Sequence, residues 1–155
     1  MKSHTVPITL SNLSHIGIVV KDIDKTVEFL SSIWDIGPAQ FIDYSPQKDE
    51  LIVGEPFSMK VAFVDLGSVK LELLQPLDES LWSQFLESKG EGVQHIAFGV
   101  SNYDEVVPKL QEQGHPMVAG ASYKGLRWCY FDTEPGGILV EFRDEHKVVI
   151  EGPGG

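Results

Sequence analysis

Two histidines and two glutamates stand at matching places in a chain that repeats itself. His15 and His95 lie 80 residues apart, and sliding the chain by that amount lays HIGIVVKDIDKTVEFL on HIAFGVSNYDEVVPKL. Six of those sixteen positions are identical, more than unrelated stretches share in one register. Glu72 in VKLELLQP and Glu141 in ILVEFRD occupy the last strand of each copy. Alone, a strand glutamate is most simply a solvated outer-face residue, and a strand histidine a satisfied core or surface one. Duplication changes that balance. A pseudo-twofold axis would bring both histidines and both glutamates into one cleft, where two carboxylates repel unless a cation lies between them. A divalent ion supplies that charge and accepts imidazole nitrogen and carboxylate oxygen alike. The set contains no thiolate, which argues against a closed structural zinc site. Two nitrogens and two oxygens, with room for water, suit one Zn, Ni, Co, Mn or Fe(II) ion.

The elements that must position these groups follow from periodicity. Ile16, Ile18 and Val20 alternate against His15, Gly17 and Val19, so each copy opens as a strand. A helix follows, with Asp24 and Asp104 in the capping region. Its buried stripe reads Val27, Leu30, Ile33 and Trp34 in the first copy, and Tyr103, Val106, Val107 and Leu110 in the second. Pro108 belongs in or near the first helical turn. Gly37-Pro38 and Gly114-His115-Pro116 stop the two helices. Residues 61–66 and 69–74 flank a turn at Gly67-Ser68, and 127–131 and 138–142 flank the Pro-Gly-Gly turn within 132–137. Leu81, Trp82, Phe85 and Leu86 share a helical face, so 78–89 reads as a linking helix. The expected fold is α+β: two tandem βαβββ modules with curved mixed sheets around a metal-binding cleft. Residues 11–144 form a single domain, with module one at 13–76 and module two at 93–143. Residues 1–10 and 145–155 are tails.

Bulk properties narrow the partners. Net charge is −11 with only two arginines, a surface that repels phosphate backbones, so nucleic acid is not expected. No apolar run approaches the roughly 20 residues of a membrane span. The N-terminal stretch has no signal-peptide core, and with a single cysteine, Cys129, read as a buried reduced thiol, a cytoplasmic location is expected. The expected partner is a small-molecule substrate.

From about Leu13 to Phe142 the chain resembles the vicinal-oxygen-chelate superfamily, which includes glyoxalase I, methylmalonyl-CoA epimerase, extradiol dioxygenases and fosfomycin- or bleomycin-resistance proteins. The resemblance implies a metal cleft between paired βαβββ modules, with His15, Glu72, His95 and Glu141 as ligands, and a homodimer. The stretch LELLQPLDESLWSQFLESKGEGVQHIAF, Leu71 to Phe98, is most similar to the methylmalonyl-CoA epimerases. The chain departs from them in three ways. Gln94-His95 stands where the epimerases commonly have two histidines. Their glycine-rich loop and His-Pro-Lys turn are replaced by ASYKGLRW and Asp132-Thr133-Glu134. No carboxylate stands in Val61-Ala62-Phe63 for their separate base, with Glu50 and Glu55 in the same general region.

What the resemblance implies is a metal-dependent isomerase or lyase that moves a proton next to a carbonyl through a metal-bound enediolate. Its substrate is that of an epimerase or a related small 2-oxo or dicarboxylic acid. Glu141 or Glu72 carries the proton, as a metal-bound glutamate does in glyoxalases. Tyr123 and Trp128, with Leu126, narrow the substrate groove against a long thioester. The alternative within the family is lactoylglutathione lyase, disfavoured by the shortage of arginines for glutathione's carboxylates. A dioxygenase needs a three-ligand Fe(II) face, and Glu72 would fill an open position. The alternative of another class is a resistance-type protein that sequesters a small molecule in a pocket of Trp34, Tyr44, Tyr123 and Trp128.

Overall fold

β1 (Leu13–Val19) sets the pattern for the molecule: His15, Gly17 and Val19 are buried on one face, while Ile16 and Ile18 stand half-buried on the other. The chain continues through α1 (Ile23–Ile33), β2 (Gln40–Tyr44), a 3₁₀ turn at Lys48–Glu50, β3 (Leu51–Val53), β4 (Met59–Asp65) and β5 (Lys70–Pro76). It then forms α2 (Leu81–Lys89), β6 (Gly92–Val100), α3 (Tyr103–Glu112), β7 (Met117–Tyr123), β8 (Leu126–Asp132) and β9 (Leu139–Asp144). The computed structural model describes residue 10 and residues 12–132 and 137–145. The expected tails, apart from residues 10 and 145, and the middle of the Pro-Gly-Gly turn lie outside the described residues.

Among the described residues nine strands form one sheet in the order β2-β4-β5-β1-β6-β9-β8-β7-β3. The repeat is written into that order, because β2-β4-β5-β1 is mirrored by β7-β8-β9-β6. Each half has one parallel pair, β1 with β5 and β6 with β9. The two curved sheets expected from sequence are fused into one by antiparallel pairing of β1 with β6. β3 has no counterpart. It arises in the long 45–58 connection, where the second half has a two-residue hairpin at Lys124-Gly125 with both residues at positive φ. β3 pairs with β7 of the opposite half. The sheet curls far enough for the Tyr44 hydroxyl on β2 to donate to the Ser122 carbonyl on β7 at 2.9 Å.

Helices α1 and α3 cover the outer face. α1 packs Ile23, with Val27 and Leu30, against Ala62, Val64 and Leu73. α3 packs Tyr103, Val106 and Val107 against Cys129, Phe131 and Phe142. α2 instead closes the inside of the curl. Ser80 caps it by accepting from the Ser83 amide, and Trp82, 2% exposed, enters a core of Val19, Phe57, Val61, Leu74, Trp128 and Tyr130. Burial pushes the free Cys129 thiol up to about 11, as expected of an inert buried cysteine.

Several sequence expectations shift. Asp22, not Asp24, caps α1, accepting from the Lys25 amide, and Asp24 lies in the first turn. The α3 cap position is Asn102, with Asp104 again in the first turn. The buried stripe of α1 therefore begins at Ile23, and Ile33 and Trp34 are half-exposed instead of buried. Pro108 sits in the second turn of α3, where it removes one helical bond, and it is tolerated on the solvent side. Among the described residues no helix is long and apolar enough to cross a membrane.

Because Trp82 anchors α2 in the interior of the curl, Trp82→Ala should cost about 3–5 kcal/mol of folding stability, the range for deleting a buried large aromatic. Urea denaturation measures it, and a loss under about 1 kcal/mol would show that α2 does not plug this core.

Candidate metal centre

The β1–β6 register explains how two distant histidines meet. His15 pairs with Ala97, Ile16 with Ile96, and Gly17 with His95. Exchanging residues by the repeat shift leaves this register unchanged, so a pseudo-twofold axis passes between Ile16 and Ile96. The parallel pairs add the glutamates: Glu72 lies beside Gly17, and Glu141 beside Ala97. One row across the sheet therefore reads Glu72, Gly17, His95, and the next reads His15, Ala97, Glu141. In each row a histidine and a glutamate flank a small residue. Two strand spacings separate their Cα atoms by about 9–10 Å, and the side chains lean together above the glycine or alanine.

The convergence is tight. His15 Nε2 lies 3.4 Å from both Glu72 Oε1 and Glu141 Oε2, and His95 Nε2 lies 3.2 Å from Glu72 Oε1 and 3.7 Å from Glu141 Oε1. The two Nε2 atoms are 3.2 Å apart, and all four ligand atoms fall within 4.8 Å of one another. His15, His95 and Glu141 are buried, and the Glu72 side chain is 13% exposed. Burial alone would raise the Glu72 carboxyl, but His15 and His95 hold it well below the usual carboxylate range. Burial likewise pulls the His15 imidazole down, and Glu72 and Glu141 outweigh it, leaving His15 above its ordinary value. The carboxylates thus demand positive charge at this point, and their geometry could hold a cation.

The far side of each ring is fixed. His95 Nδ1 meets Gln94 Oε1 at 2.6 Å, and His15 Nδ1 meets Ser14 Oγ at 3.2 Å. With Nδ1–H donated to these oxygens, each Nε2 presents its lone pair to the cluster. Tyr130 lies against the His95 ring at 4.8 Å between centroids, and Phe63 meets His15 edge-on at 5.7 Å. A side chain at Gly17 would collide with the His95 ring, so this glycine is required by close approach.

The cluster opens into a cavity of about 260 Å³. Tyr123 and Trp128 both line it, with Trp128 donating through Nε1 to the Tyr44 hydroxyl at 2.9 Å. Burial pushes that hydroxyl up to about 12. Leu126 does not line the cavity, and Trp34 lies exposed after α1, so neither belongs to a binding pocket here. Glu50 is spent on the 3₁₀ turn, accepting from the Gln47 amide, and Glu55 is exposed. The roles of Ser14, Gly17 and Gln94 escaped the sequence reading, which marked Gln94 as a departure from the epimerases without seeing its oxygen on His95. Gly17 left its trace in the small residue two places after each histidine of HIG and HIA.

The sequence profile of the Glyoxalase/Bleomycin resistance protein/Dioxygenase superfamily matches residues 14–131. An uncharacterized protein of Bacillus subtilis (strain 168) is 31% identical over 138 residues, 85% of this chain and 91% of that one. The human mitochondrial methylmalonyl-CoA epimerase is 28% identical over 139 residues, 85% of this chain and 73% of the epimerase. The crystal structure of a hypothetical protein from Bacillus halodurans C-125 superposes with a TM-score of 0.65 at 28% identity, covering 84% of this chain and 91% of that one.

Gly17→Ala should push the His95 ring out of the cluster while Ala97→Gly leaves it in place. Divalent-ion titration of both variants checks this: affinity should fall at least about tenfold, 1.4 kcal/mol, in the first only. Equal affinities would mean that the ring does not rest on Gly17.

Proposed function

The chain belongs to the glyoxalase/bleomycin resistance protein/dioxygenase superfamily, and from that footing we propose that it is a metal-dependent isomerase or lyase moving a proton at a carbon beside a carbonyl. The observation that carries this reading is the cluster itself: four ligand atoms within 4.8 Å, facing a cavity. The donor set fits a divalent ion, because both rings have Nδ1 engaged elsewhere and both carboxylates are confined. A sequestering protein would need the cavity but not this cluster.

His15, Glu72, His95 and Glu141 would hold a divalent ion, which would supply Lewis-acid stabilisation of negative charge on a substrate oxygen. The rest falls to the chain. Among the described residues Glu72 and Glu141 are the only carboxylates that line the cavity, so they stand where a proton must be taken and returned. Glu72 shares one oxygen between both imidazoles, whereas Glu141 meets them through different oxygens and at up to 3.7 Å. The looser Glu141 is assigned the proton, and Glu72 the anchoring role. Trp128 and Tyr123 wall the cavity, and the Tyr44–Ser122 bond holds the two strand edges beside it together. The epimerase relatives make methylmalonyl-CoA chemistry the first comparison. The Tyr123 and Trp128 walls, braced by the Tyr44 hydroxyl, favour a small 2-oxo or dicarboxylic acid over a long thioester. Phe29, Ile33 and Trp34, all exposed along and after α1, offer an apolar face for the homodimer expected from the resemblance.

The protein should bind about one divalent ion per chain, and His15→Ala and His95→Ala should each lower occupancy sharply in a folded domain. Chelation should lower the thermal midpoint, since a ligand at 100 times its Kd contributes about 2.7 kcal/mol. Full occupancy in both variants by elemental analysis would sink the ligand assignment.

Proton transfer is read by deuterium uptake in heavy water, with small 2-oxo and dicarboxylic acids screened beside methylmalonyl-CoA. The small acids should exchange faster than the thioester. Glu141→Gln keeps an oxygen for coordination but cannot accept a proton, so exchange should fall roughly 10²–10⁴-fold with metal retained, and Glu72→Gln should cost less. Parent rates in both glutamine variants would remove the ligands from this role and turn attention to Glu50, whose charge already bears on the Tyr44 hydroxyl.

A further inference from the structure

The repeat that builds the cluster is broken immediately beside it. Since Glu72 corresponds to Glu141, Lys70 corresponds to Leu139 and Leu74 to Arg143. The antiparallel β1–β6 pairing sets the halves head to tail, which sorts these four residues by chemistry. Lys70 shares a row with His15, Ala97 and Glu141, and Arg143 lies one same-face position beyond Glu141, toward the start of β1. Leu139 shares the row of His95, Gly17 and Glu72, and Leu74 lies beyond Glu72, toward Val19. Both cations therefore stand at one end of the cluster and both leucines at the other.

The two ends differ in depth as well as charge. Leu74 is buried and lines the cavity beside Trp82, while the half-buried Leu139 packs against the same core outside the lining, so the leucine end is an apolar floor. Lys70 is exposed and the Arg143 side chain is 26% exposed, so the cationic end is the mouth. Both cations line the cavity. Neither is fully committed. Among the described residues Lys70 has no carboxylate within ion-pair distance. Arg143 donates to Ser14 Oγ at 2.9 Å, and its carboxylate neighbours Glu141 and Glu145 are as far as 3.9 Å. The other arginine, Arg127, is tied to Asp104 and Asp144 away from the cavity. In a chain of net charge −11, two cations converging on one cavity mouth make a local field for an anion.

Resting on the metal reading above, we infer that the site takes a compact diacid: one end faces the four-residue cluster, and a second carboxylate is held at the mouth by Lys70 and Arg143. Lysine offers a point charge and arginine a planar fork, a combination suited to a carboxylate. The apolar floor leaves no place for a second charge in the other orientation, so the arrangement also fixes which way the ligand enters.

The test compares 2-oxoglutarate with 2-oxopentanoate, which share a carbon chain and a 2-oxo acid head and differ in the terminal carboxylate. Calorimetry on the full chain first measures Mn(II) uptake, then the affinity of the loaded protein for each acid. 2-Oxoglutarate should bind about tenfold tighter or more. Lys70→Met should lose most of that preference while Mn(II) uptake persists, and Lys70→Arg should recover it. Equal affinity for the two acids, or a preference unchanged in Lys70→Met, overturns the grip and leaves the metal reading standing. Failure of the parent protein to take up Mn(II) overturns the metal reading and the grip with it.

Discussion

The pairing of β1 with β6 about Ile16 and Ile96 is the constraint on which everything else hangs. It is a single antiparallel contact, yet it fixes which face carries the histidines, which small residue each ring lies over, and which glutamate it meets. A slip of one residue would turn His15 or His95 to the outer, helix-covered face, because side chains alternate with period two. A slip of two would keep them inside but lift His95 off Gly17. The register is held by burial on both faces: Val19 joins the inner core, and Ile18 packs beneath α1. Apolar packing thus holds apart and together four groups that left to themselves would find solvent.

That packing works against electrostatics. Two carboxylates with little access to water are costly, and the structure meets the cost with imidazoles whose outer nitrogens are already occupied. The result is a compact polar island in an otherwise apolar curl of sheet, bounded by Phe63, Trp128 and Tyr130. Its surroundings are not symmetric, although its four members are. Duplication supplied the histidines and glutamates in pairs, and divergence at Lys70, Leu74, Leu139 and Arg143 gave the surroundings a direction.

How much of this was legible in the sequence depended on whether the signal was local or repeated. The histidines and glutamates stood out because each appears twice at corresponding places, and strand alternation told which way they face. The linking helix was readable from one apolar face, although it starts at Leu81 and not at residue 78. Helix caps were misplaced because Asp22 and Asp24 are both competent acceptors, and only backbone geometry chooses between them. That choice shifted the α1 stripe and left Ile33 and Trp34 outside. Gln94 resembles any strand glutamine until its oxygen is seen on His95. The cationic mouth was invisible because Lys70 and Arg143 are far apart in sequence and meet only through four strands of register. The partner of β3 was equally hidden, since three residues carry no pattern that names a distant edge.

That short strand changes the kind of object the duplication has produced. Two tandem copies could in principle live as independent units, each completing its own half. Here the first copy contributes Leu51–Val53 to the border of the second, shielding hydrogen-bonding groups along β7 that would otherwise invite another chain. Among the described residues the contribution has no reciprocal, so there the second copy depends on the first in a way the first does not depend on the second. During synthesis the donor segment emerges well before its acceptor, and it has nothing to join until β7 exists. Its docking is therefore a late, long-range event that ties the two halves into one cooperative unit. A gene that split the chain at the linking helix would release a second half with an open, aggregation-prone border, and selection for solubility would then act to keep the two copies on one polypeptide.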